Sequence, residues 1–103
     1  MRYDVKITKK ATADLDAIYY YISSELVANK AAIDLLNRIE SLILGLQDFP
    51  YAYSLVKEEL LQLKGYRKLV VGSYSIFYTV IEKDKRVIVM RILYSRRNYN
   101  EFL

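Results

Sequence analysis

Neither cysteine nor histidine occurs among the 103 residues, tryptophan is also absent, and glycine and proline are limited to three and one. Without cysteine there is no disulfide and no thiol nucleophile. Without either residue the usual zinc ligands are missing, and the closest carboxylates, Asp14 and Asp16, splay apart on a helix. We therefore expect no metal and no cofactor. No apolar run approaches the roughly 18 residues of a membrane span. The N-terminal "MRYDVKITKK" carries no secretory apolar stretch, so a cytoplasmic location without a membrane partner is expected. So little glycine and proline also argues against a disordered or fibrous chain.

Apolar residues make up 53% of the sequence and charged residues 27%, the composition of an ordered globular protein. The length suits one domain, 1–103, able to bury roughly 60–65% of its unfolded surface. The net charge of +4 is unevenly spread: residues 1–63 sum to −2 and residues 64–103 to +6. The basic part also carries Tyr66, Tyr74, Tyr78, Tyr94 and Tyr99. Cations with interleaved rings fit a nucleic-acid surface. They fit an acidic protein partner equally, and a solvated face with half-buried strand tyrosines as well.

The opening "RYDVKIT" alternates, with Tyr3, Val5 and Ile7 on one side and charges on the other, predicting a strand. Thr8 then caps a helix in which Ala11, Leu15, Ile18, Ile22 and Leu26 recur at helical spacing. After a short join at Val27–Asn29, with Asn29 as cap, Ala32, Leu35, Ile39, Leu42, Ile43 and Leu46 form the stripe of a second helix that ends at "DFPY". Residues 51–65 read as a loop with a helical turn closed by Gly65. "YRKLVV" and "YSIFYTVI" flank Gly72-Ser73, which suits a type II′ hairpin. "EKDKR" then turns the chain into "VIVMRILYS", apolar on both faces and hence central or covered. The expected fold is α+β: an N-terminal strand and an antiparallel helix hairpin packed on an antiparallel sheet that a C-terminal three-stranded meander completes. The sheet's other face is left for function. Arg91, among apolar neighbours there, calls for an anion or a partner, or else reaches to the rim.

Four stretches carry a family likeness. They are "R-x-L" at Arg67–Leu69, "V-G-x-Y-x-I-F-Y" at Val71–Tyr78, "R-I-L-Y-S-R-R-N" at Arg91–Asn98, close to a family pattern "R-V-L-H-G-R-R-D", and "A-x-x-D-L-x-x-I-x-x-Y-I" at Ala11–Ile22. In that order and spacing the chain resembles toxins of the RelE/ParE superfamily from type II toxin–antitoxin modules. The resemblance implies a growth-inhibiting toxin with a role in plasmid stabilisation, silenced by a cognate antitoxin that wraps a helix and an extended tail around it. RelE-like members cleave messenger RNA on the ribosome, whereas ParE-like members inhibit DNA gyrase.

Cleavage through the RNA 2′-hydroxyl needs a base, an acid and phosphate-binding cations. Tyr and Lys titrate about three units above neutrality, so Tyr94, Tyr99 and Lys64 are candidate acids, with Glu58 or Glu59 as candidate base and Arg96 as the phosphate cation. Ribonucleases resembling RelE carry an arginine where this chain has Ser75. The hairpin and the "LYSRRN" stretch are more like ParE. The reading favoured is therefore a non-enzymatic gyrase poison whose target contacts are Arg91, Arg96, Arg97 and Tyr99, with Tyr94 shaping the same patch. An mRNA endoribonuclease and a non-toxic, antitoxin-binding remnant are the alternatives.

Overall fold

The computed structural model describes residues 2–103. The alternating stretch forms strand β1 (Asp4–Ile7), and the change of period at Thr8 starts helix α1 (Lys9–Tyr20). The Thr8 hydroxyl accepts from the Ala11 N–H at 3.1 Å and donates to the Met90 carbonyl at 2.9 Å, so one side chain caps the helix and ties it to the sheet. A π-helical turn, Tyr21–Glu25, then adds a residue to the helical period, and the Ser23 hydroxyl donates to the Tyr19 carbonyl at 2.7 Å. Ile22 stays buried, but Leu26, expected on the same stripe, turns out to solvent.

Helix α2 spans Asn29–Gly45 and buries Ala32, Ile39 and Ile43. Asn29 is not its cap. Val27 takes a left-handed backbone (φ 50°), the Ala28 N–H bonds back to Ile22, and Ala28 holds the cap position without a side-chain bond, which leaves Asn29 inside the helix. The helix also stops before Pro50: tight backbone turns from Ile43 to Phe49 end it. The predicted helical turn is α3 (Glu59–Leu63), followed by Gly65 at φ 84°. That angle favours glycine.

Strands β2 (Arg67–Val71), β3 (Tyr74–Ile81) and β4 (Arg86–Tyr94) form the meander. Gly72 sits at φ 56° in the predicted two-residue turn. The sheet order is β1-β4-β3-β2, so β4 is central as its apolar faces implied. The antiparallel expectation holds for the meander, but β1 pairs with β4 in parallel. The helix hairpin returns the chain to the end where β1 began, and up-down-up strands from there leave β4 running in the direction of β1.

A helix-facing cluster includes Ile18, Ile39, Leu69, Ile76, Tyr78 and Val89. The opposite face is not left open. Val56, Leu61, Tyr66, Phe77 and Leu93 form a second cluster there, over which Met90, Tyr99, Phe102 and Leu103 pack. A bulge makes this possible. Phe77 pairs with Arg91 but Tyr78 with Val89, so Met90 is an extra residue and the faces of β4 exchange phase across it. Val87, Val89 and Ile92 therefore face the helices, while Arg91 and Leu93 share the second face with Phe77 and Ser75.

The end of the sheet near the β3–β4 turn is fastened by Glu82. Its carboxylate accepts from the phenols of Tyr3 at 2.6 Å and Tyr51 at 2.5 Å and pairs with Lys85. These bonds, Lys85 first, hold the Glu82 carboxyl down at about 2, and the same carboxylate pushes the Tyr51 phenol up to about 12. A depressed carboxyl binds fewer protons folded than unfolded. Its contribution is thus complete above the ordinary value of 4.5 and lost as pH falls towards about 2. Urea midpoints measured from pH 7 to pH 2 are expected to fall more steeply across that window for the parent than for Glu82→Gln. Parallel curves would show that the carboxylate contributes nothing.

Candidate functional site

At the opposite end of the sheet, β4 runs out beyond its pairing with β1 and enters the turn at residues 95–98. The Ser95 N–H bonds to the Ser73 carbonyl at 2.8 Å, and the Ser95 hydroxyl meets that of Ser75 at 2.9 Å. Ser75 is buried. The Arg97 N–H bonds to the Tyr94 carbonyl at 3.0 Å, which closes the turn and leaves Arg96 and Arg97 exposed. A short 3₁₀ turn, Tyr99–Glu101, then folds the chain back over the second face.

Three of the predicted target residues share this region. The Tyr99 ring lies 5.0 Å from that of Phe77, with the Lys68 ammonium 5.8 Å from the Tyr99 centroid. The Arg97 guanidinium lies 5.0 Å from the Phe102 centroid. Arg96 projects from the same turn, and Lys68 was not foreseen as a neighbour. Stacked guanidinium and ammonium groups keep their N–H donors available while their apolar bodies cover rings. The result is a cationic surface on an aromatic base, suited to carboxylates or phosphates.

Arg91 is placed differently. Its Nε and Nη2 donate to the two oxygens of Asp14 at 2.7 and 2.8 Å, and the Ile92 N–H donates to the same carboxylate at 2.9 Å. Both side chains are largely buried, at 16% and 13% exposure, and the Phe102 ring lies 5.4 Å from the guanidinium. The anion that Arg91 requires is thus supplied from α1, around the free edge of β4. Asp14 was missed as that partner, although it was legible: it falls between Ala11 and Ile18 on the buried side of α1, an unusual place for a lone carboxylate.

The candidate catalytic residues come from α3 and its caps, from the end of β4 and from the turns that follow it. Both carboxylate oxygens of Glu58 are committed to capping α3, at 3.3 Å to the Leu60 N–H and 2.9 Å to the Leu61 N–H. Glu59 is exposed in the first turn of α3 and Lys64 caps its far end. Tyr94 lies on the other side of the sheet end, edge-on to Tyr74 at 5.9 Å. Two grooves flank α1. One, of about 620 Å³, is lined by Ile7, Tyr19, Tyr20 and Leu44 with Asp16 and Glu40 beside them. The other, of about 790 Å³, lies between α1 and the β3–β4 end.

The fold recurs in known proteins. A chromosomal ParDE toxin–antitoxin system from P. aeruginosa superposes with a TM-score of 0.73 at 26% identity, covering 90% of this chain and 96% of that one. A chain of the RelBE2 toxin–antitoxin complex of Mycobacterium tuberculosis gives 0.64 at 18% identity, covering 91% and 99%. A mutant of the E. coli toxin RelE in the free state gives 0.68 at 14% identity, covering 99% and 93%. At these last two identities the likeness is one of fold. No curated protein matches the sequence. Among the described residues no helix is long and apolar enough to cross a membrane. The family described as the ParE toxin of the type II toxin–antitoxin system parDE matches residues 5–99, which takes in α1, α2 and α3, strands β2 to β4, all of β1 but its first residue, and the arginine-bearing turn, and the chain belongs to that family.

Proposed function

We propose that this chain is the toxin of a type II pair, held inactive by a cognate antitoxin, and that the free protein poisons DNA gyrase by binding rather than by catalysis. Arg96, Arg97 and Tyr99 make the target contact, while Arg91 holds the turn and the folded-back C-terminal residues in place. The observation that carries the non-catalytic reading is Ser75. Where RelE-like ribonucleases carry an arginine, this serine is buried and hydrogen-bonded to Ser95, and the candidate base Glu58 is occupied as a helix cap. The arginine absent at Ser75 is a phosphate clamp for 2′-hydroxyl attack, and its loss carries the reading while Glu59 stays exposed. The exposed apolar groove beside α1 and α2 suits the antitoxin, since an amphipathic helix laid there covers Tyr20 and Leu44.

The test pairs two assays on the purified protein and on Arg96→Ala and Arg97→Ala. Gyrase supercoiling is expected to be inhibited by the parent, with potency falling at least about tenfold in each variant, as loss of an interface arginine does. Primer extension on a ribosome-programmed message is expected to show intact transcript. New message ends that appear with the parent and vanish in Arg96→Ala would make the protein an endoribonuclease and overturn the reading. Circular dichroism of each variant separates lost contact from lost fold.

A further inference from the structure

The groove between α1 and the β3–β4 end has a floor of Ile18, Ile22 and Ile92 and a rim of Tyr21, Tyr74, Tyr94 and Arg97. Its volume, about 790 Å³, lies within the range of small-ligand sites, roughly 300–1,000 Å³. The phenols are its unusual feature. Among the described residues the hydroxyls of Tyr3, Tyr51 and Tyr78 are spent on internal acceptors and those of the other tyrosines are not; this groove is set apart by holding three open phenols together. Those of Tyr21, Tyr74 and Tyr94 have no partner among the described residues, and they face one space. Burial pushes the Tyr74 phenol up, and the nearby Tyr21 and Tyr94 oxygens add to that, as expected of converging hydroxyls.

Charge in the groove is one-sided. Asp14 lines it, but its carboxylate is saturated by Arg91 and the Ile92 N–H. Arg97, stacked on Phe102 beneath, presents a guanidinium with no carboxylate paired to it among the described residues. An occupant that matches this wall has a flat body for the ring faces of the Tyr74–Tyr94 pair, polar edges for the phenols, and one concentrated anionic group at the Arg97 end. An acidic helix fits less well, because a row of carboxylates would meet a single cation.

We propose that this groove binds one nucleotide unit, with the base against Tyr94 and Tyr21 and the phosphate on Arg97. The site shares Arg97 with the target contact assigned above, whereas Tyr21, Tyr74 and Tyr94 take no part in that contact, so variants at the tyrosines tell the two apart. A free mononucleotide and the end of a single strand present the same unit.

The test titrates the full chain with adenosine 5′-monophosphate, adenosine, ribose 5-phosphate and a short single-stranded oligonucleotide, following amide chemical shifts. Saturable shifts confined to Tyr21, Tyr74, Tyr94 and Arg97 are expected with the mononucleotide, weaker ones with adenosine, and none with ribose 5-phosphate. Tyr94→Ala and Tyr21→Ala are each expected to weaken binding on the order of tenfold, as loss of a stacking ring does, while Tyr94→Phe retains it. Tighter binding of the oligonucleotide through the same amides makes a strand end the source, and equal binding makes it a free nucleotide. No shift at millimolar mononucleotide overturns the proposal. So does an equal response to ribose 5-phosphate, or binding indifferent to both alanine variants. Both tyrosines are exposed, so the variants fold, and gyrase inhibition by Tyr21→Ala at the parent level keeps this outcome distinct from failure of the target reading.

Discussion

Asp14→Ala is expected to destabilise the fold by about 3–5 kcal/mol, because it leaves the Arg91 guanidinium buried without its anion. For a domain of this size that lowers the thermal midpoint by more than about 12 °C. The pair differs in kind from Lys30–Asp34, an i,i+4 bridge whose side chains are 89% and 59% exposed and whose loss costs roughly 0.3–0.5 kcal/mol. It also supplies the acceptor for the Ile92 N–H at the edge of β4, so the strand loses a backbone bond together with the ion pair. The double variant Asp14→Leu with Arg91→Met is expected to recover most of the loss, since replacing both charges removes the desolvation that neither survives alone. Chemical denaturation of the three proteins decides it. A single-variant cost under about 1 kcal/mol would place the pair with the surface bridges.

The second large effect is expected at Phe77. This ring is fully buried on the second face, and Tyr99 rests directly on it. Phe77→Ala removes its contacts and opens a cavity, at a cost of about 3–5 kcal/mol. Because the lost contacts are those of the folded-back residues, amide exchange at 99–103 is expected to accelerate more than exchange in α2, whose Ile39 and Ile43 belong to the other cluster. Uniform acceleration would mean that the two faces unfold as one unit.

How far the sequence carried depended on the range of the interaction involved. Thr8 as a cap, the Gly72-Ser73 turn and the closing of α3 at Gly65 are decided by neighbours within a few residues, and each was readable. Asn29 failed for a local reason too: the left-handed Val27 closes the turn one residue early, and nothing in the composition of "LVAN" announces that backbone. The parallel pairing of β1 and the bulge at Met90 are set by partners far along the chain, and alternation within one strand is silent about both. Missing the bulge had a consequence at the site. It kept Phe102 and Leu93 out of one cluster with Phe77 and left the second face apparently bare. The tyrosine-rimmed groove was hidden likewise, since Tyr21 comes from the π-helical turn after α1 and only the fold brings it to Tyr74.

The parallel junction of β1 and β4 also has a bearing on when the molecule becomes competent. Thr8 closes against Met90 across 82 intervening steps of sequence, whereas the helix hairpin makes its contacts locally. Contacts of long sequence separation form slowly and late. During synthesis, at roughly 5–20 residues per second, the hairpin can gather while the ribosome is still elongating, but its sheet has no centre until β4 emerges. The nascent chain thus exposes the apolar undersides of α1 and α2 for seconds with nothing to cover them. A partner already present in that interval meets those surfaces before the arginine-bearing turn exists.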